Sequence, residues 1–285
     1  MKNEEVLEKV ERELKLLGNS QRTIDSYLLY LKELFNFTGK SHSRILFEDI
    51  KKFLEHLSIE KNYSSSSMTL AKSAISFYYE VMLEKYPIHK IKTKKKEKRL
   101  PVVLTKEEVI KILNAAENLR DKLIVELMYT CGLRVSEAAN MKLEDLDLED
   151  MTGTVRKSKG NKDRGIFLSP KLVADIKSYL KSKETQSIFL FSKTNGLSYT
   201  IRSFQLIIKR LAEKADIKKR VYSHIFRHAF GTHSIEDGED IVSLQEMMGH
   251  ESLDTTRLYI TLSKKHFKGK KTPLDRLYDR GDKHG

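Results

Sequence analysis

The sequence has very little cysteine and no long apolar segment. Cys131 is the one cysteine among 285 residues, which excludes an intramolecular disulfide and leaves too few thiols for a structural zinc site. No apolar run approaches the roughly 20 residues that a membrane span requires. The N-terminus, residues 1–5, leads straight into an amphipathic helical pattern without an apolar segment or a cleavage site. We therefore expect a cytoplasmic protein without a secretory signal or a membrane partner.

Two common binding motifs are incomplete. Gly39-Lys40-Ser41 resembles the end of a P-loop, but Leu34 occupies the position of the required first glycine. His224 and His228 have the spacing of a zinc-binding HExxH motif, but no glutamate follows the first histidine. The sequence therefore indicates neither an ATPase nor a zinc enzyme, and we expect no cofactor.

Positive charge is in excess and unevenly distributed. The net charge is +13, with 14 basic and 13 acidic side chains in residues 1–90, six and one in residues 91–100, and 33 and 26 in residues 101–285. Such an excess favours a polyanion such as nucleic acid or an anionic membrane surface. A solvated surface also accounts for part of it, so the charge alone leaves the partner open.

The length and the apolar periodicity predict two domains. Residues 1–90 show repeated helical stripes and predict a small all-helical domain. Residues 91–104 form a basic linker, too charged to pack in a core and suited to lying along phosphates. Its candidate DNA contacts are Lys94, Lys95, Lys96, Lys98 and Arg99.

The second domain, residues 105–285, combines helices with a little β-structure. It opens at Thr105 with a capping box closed by Glu108. Residues 152–156 and 165–168 predict a β-hairpin with a basic tip, and residues 188–191 predict a further strand. We therefore expect a mainly α fold with a small β-sheet.

The stretch most indicative of chemistry lies near the C-terminus. His224 and Arg227, at i and i+3 on a helix, share one face and can address one anion together. That pair alone is weak evidence of a catalytic site, since a histidine here could equally be a buried imidazole with its hydrogen bonds satisfied. Its neighbours strengthen it: residues 131–137 come earlier, and residues 248–252 and 255–259 follow.

Together these segments resemble the tyrosine recombinase (phage integrase) family, and most closely its Xer branch, including the archaeal members. The family's GLRxSE, KGNK, HxLRH, LGH and TTxxY boxes are matched, in order, by residues 132–137, 159–162, 224–228, 248–250 and 255–259. A phenylalanine and a methionine replace leucines of the third and fourth boxes at positions that are not catalytic. The resemblance covers the whole second domain, and the helical first domain is similar to the family's DNA-clamping, SAM-like domain.

The resemblance implies a catalytic set that cuts and rejoins DNA through a 3′-phosphotyrosyl bond without ATP or metal. Its members are Arg134, Lys159, His224, Arg227, His250 and the nucleophile Tyr259. Lys157 and Lys162 lie near the same hairpin tip as Lys159, which we prefer because it directly precedes the Gly-Asn pair.

The residue types suit attack on a phosphodiester. Arg134 and Arg227 would clamp the phosphate where negative charge develops, and His250 would donate a further hydrogen bond. His224 would accept the tyrosine proton, and Lys159 would protonate the 5′-oxygen leaving group.

Binding and assembly are less fully indicated by the sequence. Arg202, Lys209 and Arg210 lie on a basic helical pattern and are expected to face DNA, and the alternative is a solvated helix face. The resemblance also implies that the tail beyond Tyr259 docks on a neighbouring protomer in a ring of four on synapsed double-stranded DNA. The alternative is a tail folded back on its own domain.

Three functions follow as hypotheses. The first is an Xer-type recombinase that resolves chromosome dimers. The second is an integrase of a mobile element, which would differ in having its target outside the host chromosome. The third, from another class, is a DNA-binding protein that has lost catalysis, and its weakness is that every expected catalytic position is filled.

Overall fold

The computed structural model describes residues 3–93, 100–156, 163–250 and 252–263. The chain divides into two compact units, residues 1–99 and 100–285. Several predicted features lie outside the described residues: the linker cations Lys94, Lys95, Lys96, Lys98 and Arg99, the hairpin residue Lys159, and the tail beyond residue 263.

The first unit is built from helices around one apolar core. Its helices are α1 (Asn3–Leu16), α2 (Gln21–Thr38), α3 (Phe47–Ile59) and α4 (Ser65–Ser76), and Phe77–Met82 continues α4 as a π-helical turn. The stripe Val6, Val10 and Leu14 is buried, as helical periodicity requires. This unit therefore confirms the predicted helical fold of the N-terminal part.

The second unit is a helical domain with one small antiparallel sheet. Its elements are α5 (Lys106–Asn114), α6 (Leu119–Thr130), α7 (Val135–Ala139), β1 (Leu146–Asp147), β2 (Thr152–Val155), β3 (Arg164–Phe167), α8 (Pro170–Ser182), α9 (Ile201–Lys214), α10 (His224–Asp237), α11 (Ile241–Met248) and α12 (Leu253–Leu262). The strand order is β1-β2-β3. The predicted fold class, mainly α with a small sheet, is confirmed.

Local sequence signals explain several element boundaries. Thr105 Oγ1 accepts from the backbone N–H of Glu108, whose carboxylate accepts from the backbone N–H of Thr105 at 2.7 Å, so the predicted capping box forms. In the hairpin, Thr152 pairs with Phe167 and Val155 with Arg164. This register places Arg164 at the first position of β3.

The segment 188–191 differs from its prediction as a strand. Phe189 forms a single antiparallel bridge with Lys142, flanked by bonds from Leu190 N to Met141 O and from Leu143 N to Ile188 O. The pairing stops there because the segment that pairs with it enters a 3₁₀ turn at residue 143. A strand pattern is present, but its partner is too short to build a ladder.

Helix α6 lies at the centre of the second unit. Its residues from Leu123 to Met128 are all buried, as expected for a helix packed on every side. Helix α10 packs against α6 and α12, which brings the HxxR segment beside the helix that carries Tyr259. Among the described helices of both units, none is long and apolar enough to cross a membrane.

Candidate active site

Arg134 stands immediately before α7 and is held by Glu137. Its backbone N–H donates to Glu137 Oε2 at 2.8 Å, and its Nη1 donates to Oε1 of the same carboxylate at 2.6 Å. The Arg134 side chain is 25% exposed, whereas that of Glu137 is 7% exposed. The guanidinium therefore keeps access to solvent while its partner lies inside the protein.

Arg227, on α10, is fully buried. Its Nη1 donates to the carbonyl of Gly132 and its Nη2 to the carbonyl of Met248, both at 2.6 Å. Burial, aided by the charge of Arg134, lowers the pKa of Arg227 to about 10, which leaves it cationic at neutral pH. Because a guanidinium has five N–H donors, these two bonds leave donors for an anion.

Tyr259, on α12, is 2% exposed. Its ring packs on α10 at Gly231, where a Cβ atom would lie 2.8 Å from three ring carbons. Glycine at this position therefore lets the two helices approach closely enough to enclose the ring.

The environment of Tyr259 disfavours its ionised form. Burial raises its pKa to about 12, although the charges of Arg227 and Arg134 act in the opposite direction. At pH 7 the phenolate would then be about one part in 10⁵, which corresponds to about 7 kcal/mol. Both arginines are thus close enough to influence the hydroxyl, but a nucleophilic reaction would still need a base.

One histidine of α10, His228, lies beside this tyrosine, and a second, His224, lies beside His228. His224 and His228 meet edge to face with 4.8 Å between ring centroids, and the His228 ring is 6.0 Å from that of Tyr259. Desolvation, reinforced by Arg227, lowers the pKa of His224. Its imidazole is therefore neutral at pH 7 and able to accept a proton.

His250 also lies beside Tyr259. The two rings are nearly parallel, with an angle of 12° and 6.2 Å between centroids, and Nδ1 of His250 is 2.9 Å from Thr256 Oγ1. Burial and the charges of Arg227 and Arg134 lower the pKa of His250 to about 3. The ring is therefore neutral. In the tautomer in which the Thr256 hydroxyl donates to Nδ1, the ring proton lies on Nε2 and can be donated to a phosphate oxygen.

Arg164, to which the sequence patterns assign no role, joins this group from β3. Its Nη1 and Nη2 donate to the two carboxylate oxygens of Glu137 at 3.0 and 2.7 Å, and its Nε donates to Met247 O at 3.2 Å. Burial raises the pKa of Glu137, but Arg164 and then Arg134 outweigh it and hold that pKa at about 2. Glu137 is visible in the sequence three residues after Arg134, whereas its pairing with Arg164 is long-range and leaves no local pattern.

The candidate DNA contacts on α9 are exposed. Lys209 Nζ lies 3.5 Å from a carboxylate oxygen of Glu213 on the same helix. Arg210 is 61% exposed and pairs with the buried carboxylate of Asp121, which anchors its guanidinium. Arg202 is exposed on the first turn of the helix.

The structure thus brings five of the six candidate catalytic residues into one group, and Lys159 lies outside the described residues. The five are Arg134, His224, Arg227, His250 and Tyr259. Within the described part of the chain, no group of three or more histidine, cysteine, aspartate or glutamate side chains could hold a metal ion. The group offers cationic donors, a neutral imidazole base and a hydroxyl nucleophile, which suits acyl or phosphoryl transfer.

Comparison with known proteins gives the same family for both units. The model of the Phage integrase family matches residues 102–266, and the phage integrase N-terminal SAM-like domain matches residues 6–88. Tyrosine recombinase XerA of Pyrococcus horikoshii is 36% identical over 269 residues, which cover 93% of this chain and 92% of that protein.

Solved structures resemble the chain over nearly its whole length. A crystal structure of XerA recombinase has a TM-score of 0.55 and 28% identity, covering 97% of this chain and 98% of that one. XerH site-specific recombinase bound to palindromic difH substrate, in a post-cleavage complex, has a TM-score of 0.72 and 23% identity, covering 97% of this chain and 83% of that one.

Proposed function

Since this chain belongs to the phage integrase family of tyrosine recombinases, and to its Xer branch, we propose that it cleaves and rejoins double-stranded DNA site-specifically through Tyr259. The observation that carries the proposal is the contact of the buried Tyr259 ring with those of His228 and His250, within reach of the charges of Arg134 and Arg227. That arrangement supplies donors where charge develops on a phosphate.

In the proposed reaction, the Tyr259 hydroxyl attacks the phosphorus while His224 takes its proton. The bond from phosphorus to the 5′-oxygen breaks, and this oxygen leaves as a hydroxyl with a proton from Lys159. Arg134, Arg227 and His250 stabilise the charge on the non-bridging oxygens. The resulting 3′-phosphotyrosyl ester conserves the energy of the broken bond, so a free 5′-hydroxyl can reverse the step.

The pH dependence of cleavage tests the role of His224. Because burial lowers the pKa of His224 from the ordinary value of a histidine, the base should already be neutral at pH 7, and the wild-type rate should be flat from about pH 7 to about pH 9. The rate should fall only at lower pH, where His224 becomes protonated. The measurement is single-turnover formation of the covalent protein–DNA product at saturating DNA.

The matched variant is His224→Gln. Without the base, the rate depends on spontaneous ionisation of a hydroxyl whose pKa is about 12. It should drop by about 10²- to 10⁴-fold at pH 7 and then rise about tenfold per pH unit. A wild-type rate that itself rises tenfold per unit would argue against His224 as the base.

Thr256 provides a finer test of His250. We expect Thr256→Val to slow cleavage by about tenfold, the equivalent of about 1.4 kcal/mol for one lost hydrogen bond, because His250 loses the partner that fixes its tautomer. Thr256→Ser should retain the rate, as should the control Thr255→Val at the exposed neighbouring position. Equal losses in the valine and serine variants at position 256 would contradict this role.

We further propose that the cellular role is resolution of chromosome dimers in the cytoplasm by a homotetramer with exchanged C-terminal tails on synapsed DNA. The support is the similarity to XerA across 93% of this chain and a two-unit architecture. Sequencing the DNA covalently trapped on the protein in its own cells should reveal one chromosomal site. Two direct repeats of that site should then be resolved into two circles by the purified protein.

Other results would favour the alternatives. Trapped DNA that maps to the ends of a mobile element would indicate an integrase. Tight binding to a mapped site without any covalent product would favour a catalytically silent DNA-binding protein.

A further inference from the structure

Arg164 joins three elements of the second unit. It begins β3, its side chain is 6% exposed, and it donates to Glu137 in α7 and to Met247 near the end of α11. Both oxygens of Glu137 are shared, since Oε1 accepts from Nη1 of Arg134 and Oε2 from its backbone N–H. One carboxylate thus connects two arginines that are distant in sequence.

The same side chain also fills the space beside Gly249. A Cβ atom on Gly249 would lie 2.7 Å from Cδ of Arg164, and the glycine has φ +61°, which favours a residue without Cβ. This turn leads directly into His250. The position of the turn therefore depends on the Arg164 side chain through both a hydrogen bond and a close packing contact.

We propose that Arg164 is a positioning residue for DNA cleavage, which holds Arg134 through Glu137 and holds the turn before His250 through Met247 and Gly249. The inference rests on the proposed cleavage function. It assigns Arg164 no contact with DNA, since the side chain is buried and its three nitrogen atoms all donate to Glu137 or Met247.

Geometry explains why the residue should matter beyond its charge. Without Arg164, the buried carboxylate of Glu137 would be neutralised by Arg134 alone and would hold the Arg134 guanidinium more tightly. Arg134 would then be less able to donate hydrogen bonds to a phosphate. Lysine cannot replace the arginine, because a point ammonium cannot donate to both carboxylate oxygens and to the Met247 carbonyl in the same planar arrangement.

The first test is Arg164→Lys, compared with wild type in single-turnover cleavage at saturating DNA. We expect the rate to fall by about 100-fold, as for a small misplacement of catalytic groups, while DNA affinity stays within about threefold, since no DNA contact is lost. The control is Arg120→Lys, because Arg120 also pairs with a buried carboxylate, that of Asp121, at 2.8 Å. It should cleave at the wild-type rate.

A double variant separates positioning from general loss of structure. If Arg164 acts largely through Arg134, adding Arg164→Lys to Arg134→Lys should slow cleavage by less than about tenfold, because the effects of coupled residues do not add. Two losses that multiply in full would overturn the route through Glu137 and Arg134. A rate for Arg164→Lys within a few-fold of wild type would overturn the whole proposal.

Failure of the proposed function would look different. If wild type forms no covalent product on its mapped site, the cleavage function fails and the inference fails with it. If wild type forms the product and Arg164→Lys forms it equally fast, only the inference fails. Should Arg164→Lys lose its cooperative melting transition, Arg164→Gln, which keeps amide donors for Glu137, is measured in its place with the same expected loss of rate.

Discussion

Replacing Tyr259 with phenylalanine should abolish covalent attachment to DNA, with a loss of at least about 10⁴-fold in rate, as for removal of other enzyme nucleophiles. The substitution removes only the hydroxyl and keeps the ring that packs against Gly231, so the fold should be retained. The measurement is a denaturing gel after incubation with a nicked suicide substrate, on which wild type should give a protein band shifted by attached DNA.

The control for this experiment is Tyr222→Phe, which removes a hydroxyl from a tyrosine that is 38% exposed and should leave the shifted band intact. Tyr259→Phe should still bind the DNA with the affinity of wild type. A shifted band that persists in Tyr259→Phe would mean that another side chain is the nucleophile.

The second large effect is expected for Arg227→Lys. Cleavage should fall by about 10³-fold, which is typical for loss of one positioned donor to a developing negative charge. The variant should also lower the free energy of unfolding by about 2 kcal/mol, because lysine cannot bridge the carbonyls of Gly132 and Met248. Single-turnover kinetics and urea denaturation measure the two effects separately.

Arg134→Lys is the matched comparison. Its side chain is 25% exposed and holds no such bridge, so the variant should lose rate with a much smaller loss of stability. If Arg227→Lys cleaved DNA within about tenfold of wild type, Arg227 would not belong to the phosphate clamp.

Local patterns predicted much of the fold. Helical stripes such as Val6, Val10 and Leu14, and the capping box at Thr105, depend on neighbours a few residues apart, and the structure confirms both. The strand predicted at residues 188–191 was wrong because pairing depends on the length of a partner segment nearly 50 residues earlier. A strand pattern by itself carries no information about that partner.

In the site, too, the local features could be predicted from the sequence and the long-range contacts could not. Spacing placed His224 and Arg227 on one helical face, and the family boxes indicated which residues would meet. The bond from Arg227 to the carbonyl of Met248 and the ion pair between Arg164 and Glu137 join segments 21 and 27 residues apart through backbone and buried side chains. Such contacts follow from the packing of α10, α11 and β3 rather than from any local sequence pattern.

The arginines around Glu137 concentrate positive charge in a small, largely buried region. Arg134 and Arg164 both lower the pKa of buried Arg227, so the three cations repel one another, and one carboxylate neutralises only part of their charge. Binding of an anion such as a phosphodiester would relieve that repulsion, whereas the protein without an anion retains it. These arginines would therefore gain from a bound anion, in addition to the hydrogen bonds by which Arg164 and Arg227 hold the fold together.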